Sequence, residues 1–187
     1  MPPISFKASL ITSVDLKKKR NEKSYRDCRA NLVELSSKNE DDKLALAKIA
    51  CDWEHEASGF TYEVYNEILK DKLYPDVKKE HYYAITTQKR RFEKLEPEKI
   101  LGVALFSEKK DSKNELNWLQ VHPKNNSEYK QSREYKRVGD SIIHYIQKTF
   151  SNSPIYVQSG DSAVGFYKNN GFKPNNEICD YKLTWQA

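Results

Sequence analysis

The residues best placed to do chemistry lie between Leu116 and Phe172. At their centre, Lys136-Arg137-Val138-Gly139 opens an amphipathic helix over 140–149. A helix N-terminus presents free backbone N–H groups and the positive end of its dipole, which suits a phosphate. Gly139 lets the backbone approach an anion closely. The loop before the helix, 124–137, carries Lys124, Lys130, Arg133, Lys136 and Arg137. Those side chains can add charge-assisted hydrogen bonds to phosphate oxygens. A plain strand–loop–helix connection with one convenient glycine is the alternative, and this segment alone does not decide between the two.

The elements around it must hold that site. A strand over 116–121 ends in His122-Pro123. The helix repeats Val138, Ile142, Ile143 (with Tyr145), Ile146 and Phe150, so one face can pack on a sheet. A second strand, 155–158, leads into Ala163-Val164-Gly165-Phe166-Tyr167-Lys168-Asn169-Asn170-Gly171-Phe172. That run reads as a short helix capped by Ser159 or Asp161, with Ala163, Phe166 and Tyr167 inward and Gly171 as a left-handed terminus.

Upstream, 4–14 reads as a first strand, and 31–37 as a short strand or helix. The segment 15–29 is dense in Lys and Arg, with Tyr25 its only aromatic. A solvated loop or helix face is preferred there over a nucleic-acid patch. Helices are expected over 41–56, with Leu46, Ile49, Ala50 and Trp53 on one face and Asn39 or Asp41 as cap, and over 62–73, with Val64, Tyr65, Ile68 and Leu69. Strands 81–87 and 100–107 form a hairpin around a charged loop, 88–99. A last strand, 177–185, alternates Tyr181, Leu183 and Trp185. Hairpins followed by strand–helix–strand indicate an α+β sheet.

With 187 residues the chain fits a single domain spanning 1–187. Its 32% charged residues, 37% hydrophobics and 12% aromatics describe a folded protein with a highly charged surface. The net charge of +5 suits an anionic cofactor or an ordinary solvated surface. Cys28, Cys51 and Cys179 are odd in number and lack metal-binding spacing, so no metal is expected. No apolar stretch approaches membrane-spanning length, and Met1-Pro2-Pro3 opens no secretory signal. A cytoplasmic protein without a membrane partner is expected.

Val121-His122-Pro123, Val138-Gly139 and Ala163-x-x-Phe166-Tyr167-x-x-x-Gly171-Phe172 together resemble the GNAT superfamily of acetyl-CoA-dependent N-acetyltransferases. The resemblance covers roughly 80–185. It implies a mixed, mostly antiparallel twisted sheet flanked by helices and splayed at the acetyl-CoA site. Acetyl-CoA would be the co-substrate, and a primary amine would accept the acetyl group by direct attack. Around the cofactor the resemblance places Leu119, Gln120, Val121, Arg133, Lys136, Arg137, Val138, Gly139, Asp140, Ser141, Ala163 and Phe166. Leu119 and Val121 would offer backbone bonds to the pantetheine arm. Tyr167 would act as the catalytic acid toward the departing thiolate, since a phenol is protonated at neutral pH.

The sequence departs from the family pattern at Arg137, where glycine is usual, and at Glu134, where Gln or Arg is usual, although Arg133 lies one residue away. Gly160 stands where a polar Asn is common, and the loop after Pro123 is longer than usual. The strand positions that often carry a general base hold Asn117 and Trp118. Asp52, Glu54, His55, Glu56, Glu115 and His122 are the remaining candidates, none of them favoured. Two other readings stay open: a non-catalytic acyl-CoA-binding or interaction module on the same fold, and acetylation of an RNA-linked amine such as charged tRNA. The acceptor and the assembly, a homodimer included, are not specified by the sequence.

Overall fold

Two strands buried on both faces set the architecture. Within Val77–Thr86 the second half, Tyr82-Tyr83-Ala84-Ile85, and within Ile100–Lys109 the run 100–106 are apolar without polar alternation, so both faces of the sheet must be covered there. The computed structural model describes residues 7–54, 60–70, 74–126, 133–175 and 182–187. Its strands are β1 (Ser9–Asn21), β2 (Ser24–Leu35), β3 (Val77–Thr86), β4 (Ile100–Lys109), β5 (Asn114–Val121), β6 (Tyr135–Lys136), β7 (Ile155–Gln158), β8 (Lys173–Pro174) and β9 (Lys182–Trp185). The helices are α1 (Glu40–Glu54), α2 (Phe60–Lys70), α3 (Val138–Thr149) and α4 (Val164–Asn169). The strands form one sheet in the order β6-β1-β2-β3-β4-β5-β7-β9-β8. Among the described pairings β5–β7 is parallel and the rest are antiparallel.

Each face of the sheet has its own core. Ile142, Ile143 and Ile146 of α3 and Tyr167 of α4 pack with Leu16, Tyr83, Ile85, Phe106, Leu116, Val157 and Leu183. On the other face, Leu46, Ile49 and Trp53 of α1 and Val64 and Ile68 of α2 cover Val33, Tyr82, Ala84, Val103 and Leu105. The mixed α+β sheet flanked by helices is the one the sequence predicts.

Several expectations need correction. The basic stretch 15–29 is neither loop nor helix face: it forms most of a long hairpin, β1–β2. Charge hides its alternation. Leu16 is buried on one side of the hairpin, and Lys18 on that side covers the Tyr135 ring at 5.2 Å. Across the ladder Lys17 pairs with Asp27 at 3.2 Å and Arg29 with Asp15 at 3.7 Å. The segment 31–37 is largely the end of β2. In α2, Leu69 is exposed instead of joining Val64 and Ile68 in the core. The loop 88–99 is built around buried Gln88, whose Nε2 lies 2.8–3.0 Å from the carbonyls of Arg90, Arg91 and Lys94. Residues 177–181 of the expected last strand, Tyr181 with them, lie outside the described residues.

One glycine fixes how α3 sits on the sheet. A Cβ added to Gly102 of β4 would lie 2.8 Å from Val138 Cγ1 and 3.2 Å from the Gln120 carbonyl oxygen. Val138, the first residue of α3, therefore rests on bare backbone. Gly102→Ala is expected to lower unfolding free energy by about 1–3 kcal/mol through overpacking. Adding Val138→Ala should restore part of that loss, as a double-mutant cycle by thermal unfolding would show.

Asp42, in the first turn of α1, is fully buried. Its Oδ2 accepts the Ser36 N–H at 2.9 Å, while Oδ1 has no partner. Burial pushes this carboxyl up to about 6. A raised folded-state pKa makes its stabilising contribution complete below about pH 4, where the unfolded group is also protonated, and removes it as pH rises through about 6. Asp42→Asn keeps the acceptor without the charge. It should match the wild type near pH 4 and exceed it by about 2 kcal/mol at pH 7.5 in denaturant titrations.

Candidate functional site

The sheet opens at one place. The parallel ladder joins Asn114 to Ile155, Glu115 to Tyr156 and Leu116 to Val157, and it runs no further among the described residues. The β4–β5 register shifts at the same level: Leu105 faces Trp118 while Phe106 faces Leu116. Asn117 is thus an extra residue, and a bulge of this kind bends its strand. Beyond it, 119–121 form no ladder with β7 among the described residues. Asn117 Oδ1 accepts the Ser107 hydroxyl at 2.8 Å, and Trp118 packs on the α1–α2 core. Gln120 Nε2 donates to the Val121 carbonyl at 3.1 Å, so that oxygen already has a partner.

A cleft of about 300 Å³ fills the opening on the α3–α4 side. The Arg137-Val138-Gly139 turn forms one wall. Here Arg137 adopts φ 71°, ψ 15°, the left-handed conformation that glycine takes easily. The backbone therefore keeps the glycine geometry without the glycine, contrary to the expectation that arginine forfeits it. Arg137 is exposed and its side chain stays at the rim. Gly139 is buried against Phe166: a Cβ there would sit 2.9 Å from Phe166 Cζ. The loop leading in is anchored by Asn125, whose Oδ1 accepts the Tyr135 N–H at 2.8 Å. His122 caps the turn before it, its Nδ1 accepting the Lys124 N–H at 3.1 Å. That turn is a 3-10 segment, Pro123–Asn125.

Tyr167 lies on the same cleft, 7% exposed, with its ring edge-on to Phe166 and Phe172 at 5.2 and 5.5 Å. Burial raises its phenol well above the ordinary tyrosine range, so it stays protonated at any physiological pH. Its helix is held to α3 by Asn170, which donates to Asp140 Oδ1 at 3.3 Å and accepts from Gln147 Nε2 at 2.8 Å through its carbonyl. Gly171 has φ 84°, the expected left-handed terminus. The expected cap is absent. A 3-10 turn, Asp161–Ala163, leads into α4 with no side-chain cap bond, and the Ser159 hydroxyl donates instead to the Gly160 carbonyl.

On the opposite face a second cleft of about 730 Å³ runs between β5, β7 and β9. Asn117, Trp118, Tyr156 and Gln158 contribute to it, and Gly160 lines both clefts. Among its described lining residues the carboxylate is Glu115, whose Oε2 is 3.0 Å from Lys109 Nζ. Asp52 is exposed and pairs with Lys48 at 2.8 Å, and His122 serves as a cap. No side-chain placement is described for Glu54, and His55 and Glu56 lie outside the described residues.

Of the residues singled out in the sequence, Leu119, Gln120, Val121, Arg133, Arg137, Val138, Gly139, Asp140, Ala163, Phe166 and Tyr167 all border the first cleft. Lys136 belongs to β6, its Nζ 3.8 Å above the Tyr25 ring. Ser141 lies one turn into α3, its N–H bonded to the Arg137 carbonyl at 3.0 Å. Sequence reasoning missed Gly102, Asn125 and Asn170. Asn125 just past His122-Pro123 was the available signal, since Asn commonly turns its side chain onto nearby backbone.

No family model and no curated protein matches the chain. Solved structures do. One, from Klebsiella pneumoniae subsp. pneumoniae MGH 78578 and proposed as an acyl-CoA N-acyltransferase, aligns with TM-score 0.51 over 83% of this chain and 96% of that one, at 10% identity. Tetrahymena GCN5 aligns with TM-score 0.43 over 74% and 86%, at 13% identity.

The left-handed arginine has a measurable consequence. Arg137→Gly removes the steric conflict of an L side chain at positive φ, partly offset by glycine's greater freedom when unfolded. Unfolding free energy should rise by about 0.5–1 kcal/mol, whereas Arg137→Val should lower it. Chemical denaturation of the two variants separates these outcomes.

Proposed function

We propose that this chain, which has the GNAT-superfamily fold, is an acyltransferase that moves an acetyl group from acetyl-CoA to a primary amine. The observation that carries the reading is the opening of β5 from β7 above a cleft whose walls are a left-handed backbone turn, a helix N-terminus and Tyr167. The fit to the donor rests on chemistry visible in those walls. Val138, Gly139 and Asp140, the first residues of α3, border the cleft with Arg137 and Arg133 beside them, so a helix N-terminus and two guanidinium groups meet where an anion would sit. The β7-side edge of 119–121, which joins no ladder among the described residues, suits a ligand that adds to it like a strand.

Acetyl-CoA supplies the thioester, an activated acyl group with a thiolate leaving group. The protein supplies placement, charge and a proton. Arg133, Arg137 and the α3 N-terminus hold the phosphates. The edge of β5 orients the arm, and Leu119, Val121, Ala163 and Phe166 exclude water. Tyr167 holds a proton at its phenol oxygen for the leaving sulfur: burial keeps the phenol neutral, and the charge on the departing thiolate draws the proton across. The amine would arrive from the second cleft on the other face, with Gly160 between the two. With Glu115 engaged by Lys109, an amine that is already largely neutral suits this site best.

Two measurements test the reading. Acetyl-CoA at ~100 times its dissociation constant stabilises by about 2.7 kcal/mol, hence raises the unfolding midpoint by roughly 5–10 °C. No shift at millimolar acetyl-CoA would reject the donor site. Tyr167→Phe should lower kcat on the order of 10²-fold with the acetyl-CoA shift retained. An unchanged kcat would make Tyr167 structural, and a shift without transfer to any amine would leave a binding module. Arg137→Gly, more stable than wild type, should bind acetyl-CoA about tenfold more weakly if its guanidinium meets a phosphate.

A further inference from the structure

Half of the molecule's cations gather at one end of the sheet. The hairpin tip of β1–β2, the loop between β3 and β4, and the loop between β5 and α3 all emerge at that end. They are physically joined. Lys17 and Lys18 pair in register with Lys136 and Tyr135 of β6, the Tyr25 hydroxyl donates to the Arg133 carbonyl at 2.8 Å, and Asn31 Nδ2 donates to the Gln88 carbonyl at 2.8 Å. Among the described residues of 15–29, 88–99 and 122–137 there are sixteen Lys and Arg against seven Asp and Glu, an excess of nine. The whole chain has an excess of only five, so the rest of the sequence is net acidic.

This is not a surface of balanced ion pairs. Arg20, Lys23 and Arg26 on the hairpin, and Lys89, Arg90 and Arg91 on the neighbouring loop, are exposed and make no ion pair among the described residues. From Asn31 toward the tip, β2 pairs only with β1 among the described strands, and past the short β6 pairing at Lys17 and Lys18 the hairpin tip projects as a two-stranded ribbon. Clustered like charges repel one another and destabilise the folded state unless an anionic partner is present. Acetyl-CoA alone does not account for them, since its phosphates carry only about four negative charges, and none of these six residues lines the cofactor cleft.

We infer that this end of the sheet docks the phosphodiester backbone of an RNA. A rigid ribbon with cations on both faces suits a polyanion of regular charge spacing. Tyr25 is covered by Lys136 and Phe92 is partly buried in the α1–α2 core, so among the described residues the surface offers phosphate contacts in place of these two rings as stacking platforms. A folded or duplex backbone fits it better than a splayed single strand. The choice of RNA over DNA rests on the acyl-transfer reading. An aminoacyl group esterified to an RNA end carries a primary amine, whereas the DNA backbone and bases carry no aliphatic amine. The α-amino group titrates at about 8 or below, which suits a second cleft where Glu115, the carboxylate among the described lining residues, is held by Lys109.

The test is fluorescence anisotropy with fluorescein-labelled, unacylated bulk tRNA. Neutralising four to six phosphates predicts a loss of roughly 10²–10³-fold in affinity between 50 and 200 mM salt. The triple variant Arg20→Glu, Lys23→Glu, Arg26→Glu, and independently Lys89→Glu, Arg90→Glu, should each weaken binding more than tenfold. Both should keep the wild-type acetyl-CoA thermal shift. Bulk aminoacylated tRNA should then be an acetyl acceptor. The inference is overturned by absence of tRNA binding at 50 mM salt, by variants that bind as wild type, or by polyglutamate displacing tRNA at equal charge, which would assign the surface to an acidic protein. A DNA duplex binding equally well, with no transfer to aminoacylated tRNA, would overturn the choice of RNA. Loss of tRNA binding with the acetyl-CoA shift intact removes this inference alone. A missing acetyl-CoA shift with tRNA still bound removes the acyl-transfer reading alone and leaves the docking surface in place.

Discussion

A sheet interior normally leaves no backbone group unpaired, because a buried N–H or C=O without a partner loses about as much as a hydrogen bond is worth. This protein relaxes that constraint where β5 leaves β7 after three paired residues. The extra residue Asn117 bends β5 away from its neighbour, and its side chain is fixed by Ser107 so that the bend holds. From this gap follow a cleft on each face, the shared boundary at Gly160, and a strand edge at 119–121 that joins no ladder among the described residues. Removing the bulge would let the ladder continue and close both clefts.

Keeping such a gap open demands rigid walls. α3 is pressed onto the sheet through Val138 over Gly102, and onto α4 through Gly139 against Phe166. Asn170 and Gln147 then tie the end of α4 back to α3. Val138, Gly139, Phe166 and Tyr167 therefore sit in one continuous packing unit, with contacts too close to admit a methyl group. Arg137 belongs to the same logic. Its left-handed backbone is strained in isolation, and the surrounding contacts hold it there.

The parts legible in the sequence are those where apolar periodicity speaks alone. The α3 stripe, β4, β7 and the helix around Phe166 and Tyr167 all stand where their spacing puts them. The hairpin β1–β2 was hidden because its alternating face is written in Lys and Arg, whose stems cover apolar surface while their charged ends reach solvent. Gln88 and Asn125 were hidden for a different reason. They organise loops by bonding to backbone, and although the place of Asn125 just past His122-Pro123 hints at such a bond, Gln88 in its charged loop carries no comparable mark. The opening itself was implied only by family likeness, since a bulge leaves no mark in hydrophobic pattern.

The parallel β5–β7 pair also has a kinetic meaning. Each of β1–β2, β3–β4 and β4–β5 joins strands adjacent in sequence, so these ladders close early and cheaply. Pairing Asn114 with Ile155 must wait for α3 and for closure of a long loop. The docking of β1 to β6 spans more than a hundred residues and comes later still. The cleft is therefore assembled at the end of folding, from contacts largely absent in the transition state. Whatever strengthens those contacts slows unfolding while leaving the folding rate nearly unchanged. The lifetime of the native state is then set at the same seam of the sheet where the two clefts meet.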